Sequence, residues 1–266
     1  MGVPGRRMWM LAVALMPALS LGAQAASSGL ASHRAIYEMT LKSASRSSDI
    51  AELSGQMLIE VIDVCDGWTL EQRIAITIVN FQGQEVVSHT GFTSWESRDG
   101  SRFRFEQKTK QNDIVVEEVG GKAAVDPDGG GLVVFGEPEA NTLELAPGTL
   151  FPSQHTALLI ASAKAGKSFV SRVVFDGTSA DGPNQISAFI AEIMDGPMLP
   201  GEAVAPRVWP IHLAFYRASS SAPEPDVEIS MLVEANGVMR QMTLDYGNFS
   251  IDGRLGSLGM LPAPDC

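Results

Sequence analysis

The sequence contains few of the residues that metal and redox sites require. Among its 266 residues are two cysteines and four histidines, and no C-x-x-C pair occurs. Zinc and iron–sulfur sites use several Cys or His ligands held close together. The histidines, His33, His89, His155 and His212, share no short spacing, so a metal site would have to be assembled by the fold alone. The sequence therefore predicts no metal ligand and no cofactor.

Basic residues are also scarce. Lys and Arg number 19 against 31 Asp and Glu, which gives a formal net charge of −12. Proteins that bind nucleic acids neutralise phosphates with clustered Lys and Arg, and charge-driven docking on anionic lipid has the same requirement. The composition therefore argues against nucleic acid as a partner and against a membrane surface recognised by charge.

Long apolar runs are absent apart from one short run near the start. Arg6 and Arg7 precede nine apolar residues at 8–16, Pro17 ends the run, and Ala23-Gln24-Ala25 fits the rule for signal cleavage. We predict a signal peptide at 1–25 and a mature, soluble periplasmic chain at 26–266. A retained anchor is the alternative, but the run is too short to span a bilayer, and no later segment approaches that length.

Both cysteines, Cys65 and Cys266, lie in the predicted mature chain. In an oxidising compartment two such thiols usually pair; the alternative is two separate free thiols. A bridge between them would close a loop of about 200 residues, which the chain-entropy model associates with a large stabilisation.

Alternation of apolar and polar residues with period two dominates the remaining sequence, which is typical of half-buried strands. It is clearest at 68–79, at 101–109, where Phe103 and Phe105 face inward, and at 226–234. Asn236-Gly237 then suits a type I′ hairpin turn, and Pro210 should place its strand at an edge or a bulge. Further strands are predicted at 34–42, 53–64, 86–96, 113–119, 168–175, 184–194, 207–217 and 238–246.

One helix is predicted at 157–165. Ser153 would cap its start and Gly166 would close its end, and the stretches 126–131 and 219–225 are predicted loops. With so many strands, closure or partial closure removes exposed sheet edges. The predicted fold is a single antiparallel, mostly β domain, a partly closed barrel with one or two short helices.

No catalytic template matches the sequence: the G-x-S-x-G, H-E-x-x-H, Walker and Rossmann patterns are all absent. Ser153 and His155 place a hydroxyl near an imidazole, but side chains two positions apart on a helix do not face each other. The acidic residues lie on outward strand faces, which predicts solvation. Trp68, Trp95 and Trp209 are interpreted as core residues; an apolar cavity or groove for a lipid or an extended partner is the alternative.

Several short blocks occur together in this chain, and their combination resembles the EipB-type periplasmic envelope-integrity proteins of Gram-negative bacteria. The resemblance covers nearly all of the predicted mature chain. The blocks are Ser32-His33-Arg34-Ala35 with Tyr37, Cys65-Asp66-Gly67-Trp68-Thr69, Trp95-Glu96-Ser97 with Asp99-Gly100, Phe103 with Phe105, Gly148-Thr149-Leu150-Phe151-Pro152 followed by His155-Thr156, and Phe175-Asp176-Gly177.

This resemblance implies a broken, spiral-like antiparallel β fold and a disulfide between Cys65 and Cys266. It also implies a non-enzymatic role in envelope integrity under stress, and it supplies no catalytic residue. The first functional hypothesis is therefore a periplasmic protein that interacts with other envelope proteins, with lipid or with peptidoglycan. The second is a carrier for lipid or lipoprotein acyl chains. The third is a hydrolase of envelope polymers that depends on His155.

Overall fold

The structure is a computed structural model, and it describes residues 29–126, 129–218 and 222–266. The predicted signal peptide at 1–25 lies outside the described residues, as does part of each predicted loop. The described part contains one α-helix, and no helix in it has the length and apolar character needed to cross a membrane.

The described residues form fifteen strands, one α-helix and one 3-10 turn at Arg46–Ser48. The alternating segments became strands because their apolar side chains share one face and can be buried together. The bounds are β1 His33–Ala44, β2 Glu52–Asp63, β3 Gly67–Val79, β4 Glu85–Ser97, β5 Arg102–Gln111, β6 Ile114–Val125, β7 Gly131–Glu137, β8 Asn141–Leu145, α1 Pro152–Lys164, β9 Phe169–Val174, β10 Asn184–Ile190, β11 Met194–Asp195, β12 Arg207–Arg217, β13 Val227–Glu234, β14 Met239–Asp245 and β15 Phe249–Met260.

All the strands belong to one antiparallel sheet in the order β8-β7-β6-β5-β4-β3-β2-β1-β15-β14-β13-β12-β10-β9, with β11 beside β12. The first and last strands pair in the middle of the sheet, and β8 and β9 form its two edges. From β8 the chain continues through α1 to β9. Leu150, which lies between β8 and α1, forms a bridge to the end of β9. The Leu150 N–H donates to the Val173 carbonyl at 2.9 Å, and the Leu150 carbonyl accepts from the Phe175 N–H at 3.0 Å. The two edges thus approach each other without closing, and the predicted mostly β, partly closed antiparallel fold is confirmed.

The concave side of the sheet holds three groups of buried apolar side chains. A phenylalanine-rich group lies under β4–β7 and includes Phe103 and Phe105, which are 1% and 4% exposed. A second group joins α1 to β9, β10, β12 and β13. A third lies under β1, β2, β14 and β15 and contains the fully buried Tyr37. The predicted inward orientation of Phe103 and Phe105 is therefore confirmed.

The prediction that Pro210 lies in an edge strand or at a bulge is wrong. Its strand, β12, lies inside the sheet between β13 and β10. Proline is tolerated there because β10 ends at Ile190 and β11 begins only at Met194. The Pro210 carbonyl accepts the Ala191 N–H at 2.9 Å on this side. Because the nitrogen of a strand residue points to the same side as its carbonyl, the missing N–H lies at the break between β10 and β11.

The hairpin between β13 and β14 occurs where Asn236-Gly237 predicted it, but its turn is not type I′. Gly237 has a φ of +90°, whereas Asn236 is not among the residues with positive φ. The following bulge at Arg240, where Val233 pairs with Met239 and Leu232 with Gln241, turns the Arg240 side chain inward. It is 6% exposed and pairs with Glu202 at 2.8 Å and with Glu234.

Candidate functional site: the start of α1 and the cavity beside it

The start of α1 is capped from a distant strand and not by its own sequence. Phe151 is the N-cap residue and has no side-chain cap bond, so the predicted capping role of Ser153 is wrong. The N–H groups of Ser153 and Gln154 instead donate to the two carboxylate oxygens of Glu96, at 2.7 and 2.9 Å. Glu96, the penultimate residue of β4, thus satisfies two of the four N–H groups that every helix leaves free at its start.

This carboxyl group is one of the most deeply buried groups in the described chain, with 2% of Glu96 exposed. Burial raises the pKa of Glu96 from 4.5 to about 7, and the hydrogen bonds from Ser153 and Gln154 partly offset that rise. The expectation that acidic residues lie on outward strand faces is therefore wrong for Glu96, which faces inward to hold α1.

Arg98, just after β4, links the helix start to the turn between β2 and β3. Its guanidinium forms an ion pair with Asp63, donates to the Cys65 carbonyl at 2.8 Å and lies 5.3 Å from the centre of the Trp68 ring. Its own carbonyl accepts a hydrogen bond from the Gln154 side chain at 3.1 Å. One residue thus joins three separate segments at this end of the sheet.

The same turn carries the disulfide. Cys65 bonds to Cys266, with the two Cα atoms 5.8 Å apart and a sequence separation of 201. Cys65 has a φ of +66°, and Asp63 supports this conformation by accepting the Cys65 N–H at 2.9 Å. The structure therefore contains the pairing that the resemblance implies.

Two glycines allow these segments to approach closely. A Cβ atom on Gly67 would lie 2.2 Å from the backbone oxygen of Glu96, and one on Gly100 would lie 2.5 Å from the Gln154 side chain. Phe151, which leads into α1, stacks on Phe103 with ring centres 5.0 Å apart. The blocks at 65–69, 95–100 and 148–156, together with Phe103, are thus packed on one another around the start of α1.

An apolar cavity of about 320 Å³ lies between α1 and the concave side of the sheet. Its walls come from α1 and from β2, β3, β12, β13 and β14. Four methionines line it, and methionine adapts its shape to irregular space. The apolar lining residues are Leu30, Met57, Ile59, Val61, Leu70, Pro152, Leu159, Ile160, Ile211, Leu213, Ile229, Met231, Val233, Gly237, Met239, Met242 and Leu244.

His155 lines this cavity from α1. It is 5% exposed, and among the described residues its Nε2 is the one buried side-chain nitrogen or oxygen without a hydrogen-bond partner. Burial, together with the charge of Arg172, lowers the pKa of His155 from 6.5 to about 4, so the imidazole is neutral near pH 7. Ser153 is not hydrogen-bonded to this ring, so the structure does not bring the two together as a nucleophile and its base.

A second hydroxyl–imidazole pair lies on the outer face of the sheet. His212 bonds through Nδ1 to Ser230 at 2.9 Å and through Nε2 to Glu228 at 3.2 Å. The side chains of His212 and Glu228 are 40% and 43% exposed. His212 and Ser230 border a groove on this face that is lined mainly by apolar residues. The other sequence candidates are apart from it: His33 is buried beside the cavity and His89 is exposed on β4.

Comparison with protein families gives a match to the EipB-like family model over residues 24–262. The chain belongs to the EipB-like family. A curated relative, the cell envelope integrity protein EipB of Brucella abortus (strain 2308), is 33% identical over 247 residues, which cover 89% of this chain and 87% of the relative. The resemblance inferred from the short sequence blocks is thereby confirmed.

Structural comparison agrees with membership of the EipB-like family. The crystal structure of a beta-barrel-like protein with a domain of unknown function, DUF1849, from Brucella abortus superposes with a TM-score of 0.81 at 33% identity. The match covers 88% of this chain and 99% of that one. The family match over residues 24–262 spans all fifteen described strands, including those that form the cavity.

Trp68, Trp95 and Trp209 do not line the cavity of this EipB-like chain. Trp68 is 5% exposed and lies under Arg98, Trp95 is half-buried beside Arg104, and Trp209 packs on the apolar group beneath α1. Neither the cavity nor the role of Glu96 had a local signal in the sequence, because both depend on which strands curve around α1.

Proposed function

We propose that this chain is an exported periplasmic protein that supports the integrity and stress resistance of the cell envelope by binding rather than by catalysis. Its membership of the EipB-like family, together with a 33% identical relative that is named a cell envelope integrity protein, carries this proposal. The sequence at 1–25, which has the pattern of a signal peptide, supports the location.

The contacts of two buried charged residues, Glu96 and Arg240, support a binding role. Glu96 accepts two N–H groups of α1, and Arg240 pairs with two glutamates. A catalytic acid or base has to reach a substrate proton, whereas these groups are occupied in holding segments of the chain together. The disulfide adds a covalent tie at the same end of the sheet as Glu96.

Complementation tests this proposal. A strain that lacks the gene should become sensitive to detergents and to antibiotics that act on the cell wall. The full chain should restore growth, and a chain without residues 1–25 should not, because it would remain in the cytoplasm. Immunoblots of periplasmic and cytoplasmic fractions check where each form accumulates. Equal rescue by both forms, with the shorter form in the cytoplasm, would contradict a periplasmic site of action.

The cavity favours a second candidate function, a carrier or binding protein for lipid or lipoprotein acyl chains. Its lining is mainly apolar, and its volume of about 320 Å³ lies at the lower end of the range of small-molecule pockets, roughly 300–1,000 Å³. Ile229 and Leu244 project into it from β13 and β14. Such a cavity can remove one apolar chain from water.

Filling the cavity tests the second function. We expect saturable binding of a hydrophobic fluorescent dye to the delipidated protein, and an Ile229→Trp substitution should weaken it by about tenfold, because the indole takes the place of ligand contacts. Phe189→Trp, at a residue 55% exposed on the outer face, is the matched control and should bind the dye normally. If Ile229→Trp disturbs folding, Leu244→Phe fills the cavity with a smaller increase in side-chain volume. Unchanged dye affinity in both filled variants would reject the cavity as the binding site.

A further inference from the structure

The cavity beside α1 contains one polar atom for which the protein supplies no partner. His155 is nineteen-twentieths buried and lines a mainly apolar space, and its Nε2, which the surrounding atoms cover, lacks a hydrogen bond. A buried polar group without a partner destabilises the folded state. A ligand that supplies the missing hydrogen bond would account for a histidine at this buried position.

The neighbouring polar groups are already occupied within the chain. The Thr156 hydroxyl donates to the Pro152 carbonyl at 2.9 Å, and the N–H groups of Ser153 and Gln154 are bound by Glu96. A buried water usually makes about three hydrogen bonds. The groups nearest to His155 on α1 offer few of these, so a water alone is a poor partner for Nε2.

The opposite wall of the cavity also holds a weakly paired polar group. The Gln72 amide on β3 donates to the sulfur of Met57 at 3.0 Å, and a thioether is a weak acceptor. Gln72 and His155 both line the same cavity. The lining also includes His33, Thr69 and Asn236. A mainly apolar space with a small number of polar groups is the usual form of a small-molecule site, because the polar groups fix the orientation of a largely apolar ligand.

We propose that the cavity binds a single-chain amphiphile whose uncharged polar end, a hydroxyl group, hydrogen-bonds to Nε2 of His155. This inference rests on the second candidate function, and it adds the class of ligand and the residue that recognises it. A hydroxyl group both donates and accepts, so it pairs with either tautomer of a neutral imidazole.

Charge and volume exclude other ligands of the same general kind. An ionised carboxylate or phosphate buried among methionine and leucine side chains would lose its hydration, and a neutral histidine does not compensate that loss. The cavity volume of about 320 Å³ suits one chain and not the several chains of a larger lipid. The site therefore selects for one chain and against a charged end group.

Displacement of a hydrophobic dye by octanol and by octane measures this recognition in the full mature protein. The affinity of the protein for each compound is compared with the partition of that compound from water into an apolar solvent. Relative to this reference, wild-type protein should favour octanol over octane. His155→Leu should weaken octanol binding by about tenfold and leave octane binding unchanged. Because the substitution removes an unpaired buried polar atom, the ligand-free variant should also melt at a higher temperature than the wild type.

Thr156→Val is the matched control, since Thr156 lies next to His155 in the cavity lining but donates its hydroxyl within the chain. It should leave the preference for octanol over octane unchanged. Two results would overturn the role of His155 without contradicting the carrier function. The first is an equal weakening of octanol binding by both variants. The second is an unchanged octanol affinity in His155→Leu while the dye still binds. Absence of saturable dye binding in the wild type would overturn the carrier function itself.

Discussion

Reduction of the bond between Cys65 and Cys266 is expected to lower the free energy of unfolding by about 5 kcal/mol, or somewhat less where the unfolded chain retains structure. The bond closes a loop of 201 residues, and restriction of the unfolded chain grows with the logarithm of loop length. Domains are stable by only about 5–15 kcal/mol in total. Loss of this one bond can therefore decide whether the chain stays folded under stress.

Urea unfolding of the oxidised and reduced proteins measures this effect. The unfolding midpoint should fall on reduction, and the slope of stability against urea should rise, because the reduced unfolded chain expands and exposes more surface. Cys266→Ser should reproduce the reduced protein, since Cys266 lies in the exposed tail after β15. In cells this variant should accumulate to a lower level than the wild type.

Cys65→Ser provides the comparison that separates the bond from its turn. Asp63 and Arg98 hold the turn through the backbone of Cys65, and a serine keeps both hydrogen bonds. The two single variants should therefore lose similar stability, and reducing agent should have no further effect on either. A reduced wild type that unfolds at the same urea concentration as the oxidised protein would show that the bond contributes little.

The sequence predicted the fold class well because period-two alternation reports directly on which strand face is buried. Phe103 and Phe105 lie inside as their pattern indicated, and the strand predicted at 68–79 corresponds to β3. The predicted end of the helix at Gly166 agrees with the structure, where Gly166 adopts a φ of +70°. These features depend on neighbouring residues alone, which is why local patterns identify them.

The strands β7, β8 and β15 had no comparable signal. β15 contains three glycines, Gly253, Gly256 and Gly259, which present no side chain to either face and so hide the alternation. β7 and β8 are short, with seven and five residues, and β8 is an edge strand. Their pairing is set by the neighbouring strands of the sheet.

The cap of α1 was not predictable for a different reason. Glu96 lies 57 residues before the N–H group that it binds, at the end of a strand where an acidic residue usually faces water. Ser153 offered a plausible local cap, and local caps are common. Only the curvature of the sheet, which brings the end of β4 to the start of α1, gives Glu96 the role instead.

Removal of that cap should have the second largest effect. At about pH 5, where the buried carboxyl group is still protonated in the folded chain, Glu96→Ala should lower the free energy of unfolding by about 3 kcal/mol, because two N–H groups lose their acceptor and a space is left beside the helix. Thermal unfolding followed by circular dichroism measures the loss. Ser153→Ala is the comparison variant: it removes the contact of the Ser153 side chain with Glu96 but keeps both N–H bonds to Glu96, so it should cost much less. Equal costs for the two variants would show that the two N–H bonds to Glu96 contribute little.

Glu96→Gln isolates the charge of the same group, because the amide keeps the shape but does not ionise. Burial raises the pKa of Glu96 to about 7 from 4.5. Between these values the folded chain holds a proton that the unfolded chain has released, so wild-type stability should fall as the pH rises through this window, by at most about 3 kcal/mol. Glu96→Gln should lack this slope, and the variant should therefore gain stability relative to the wild type as the pH approaches 7. Two results would contradict this expectation: a stability difference between Glu96→Gln and the wild type that stays constant between pH 4.5 and about 7, and one that changes in the opposite direction. Either result would show that the start of α1 keeps the Glu96 carboxylate ionised throughout.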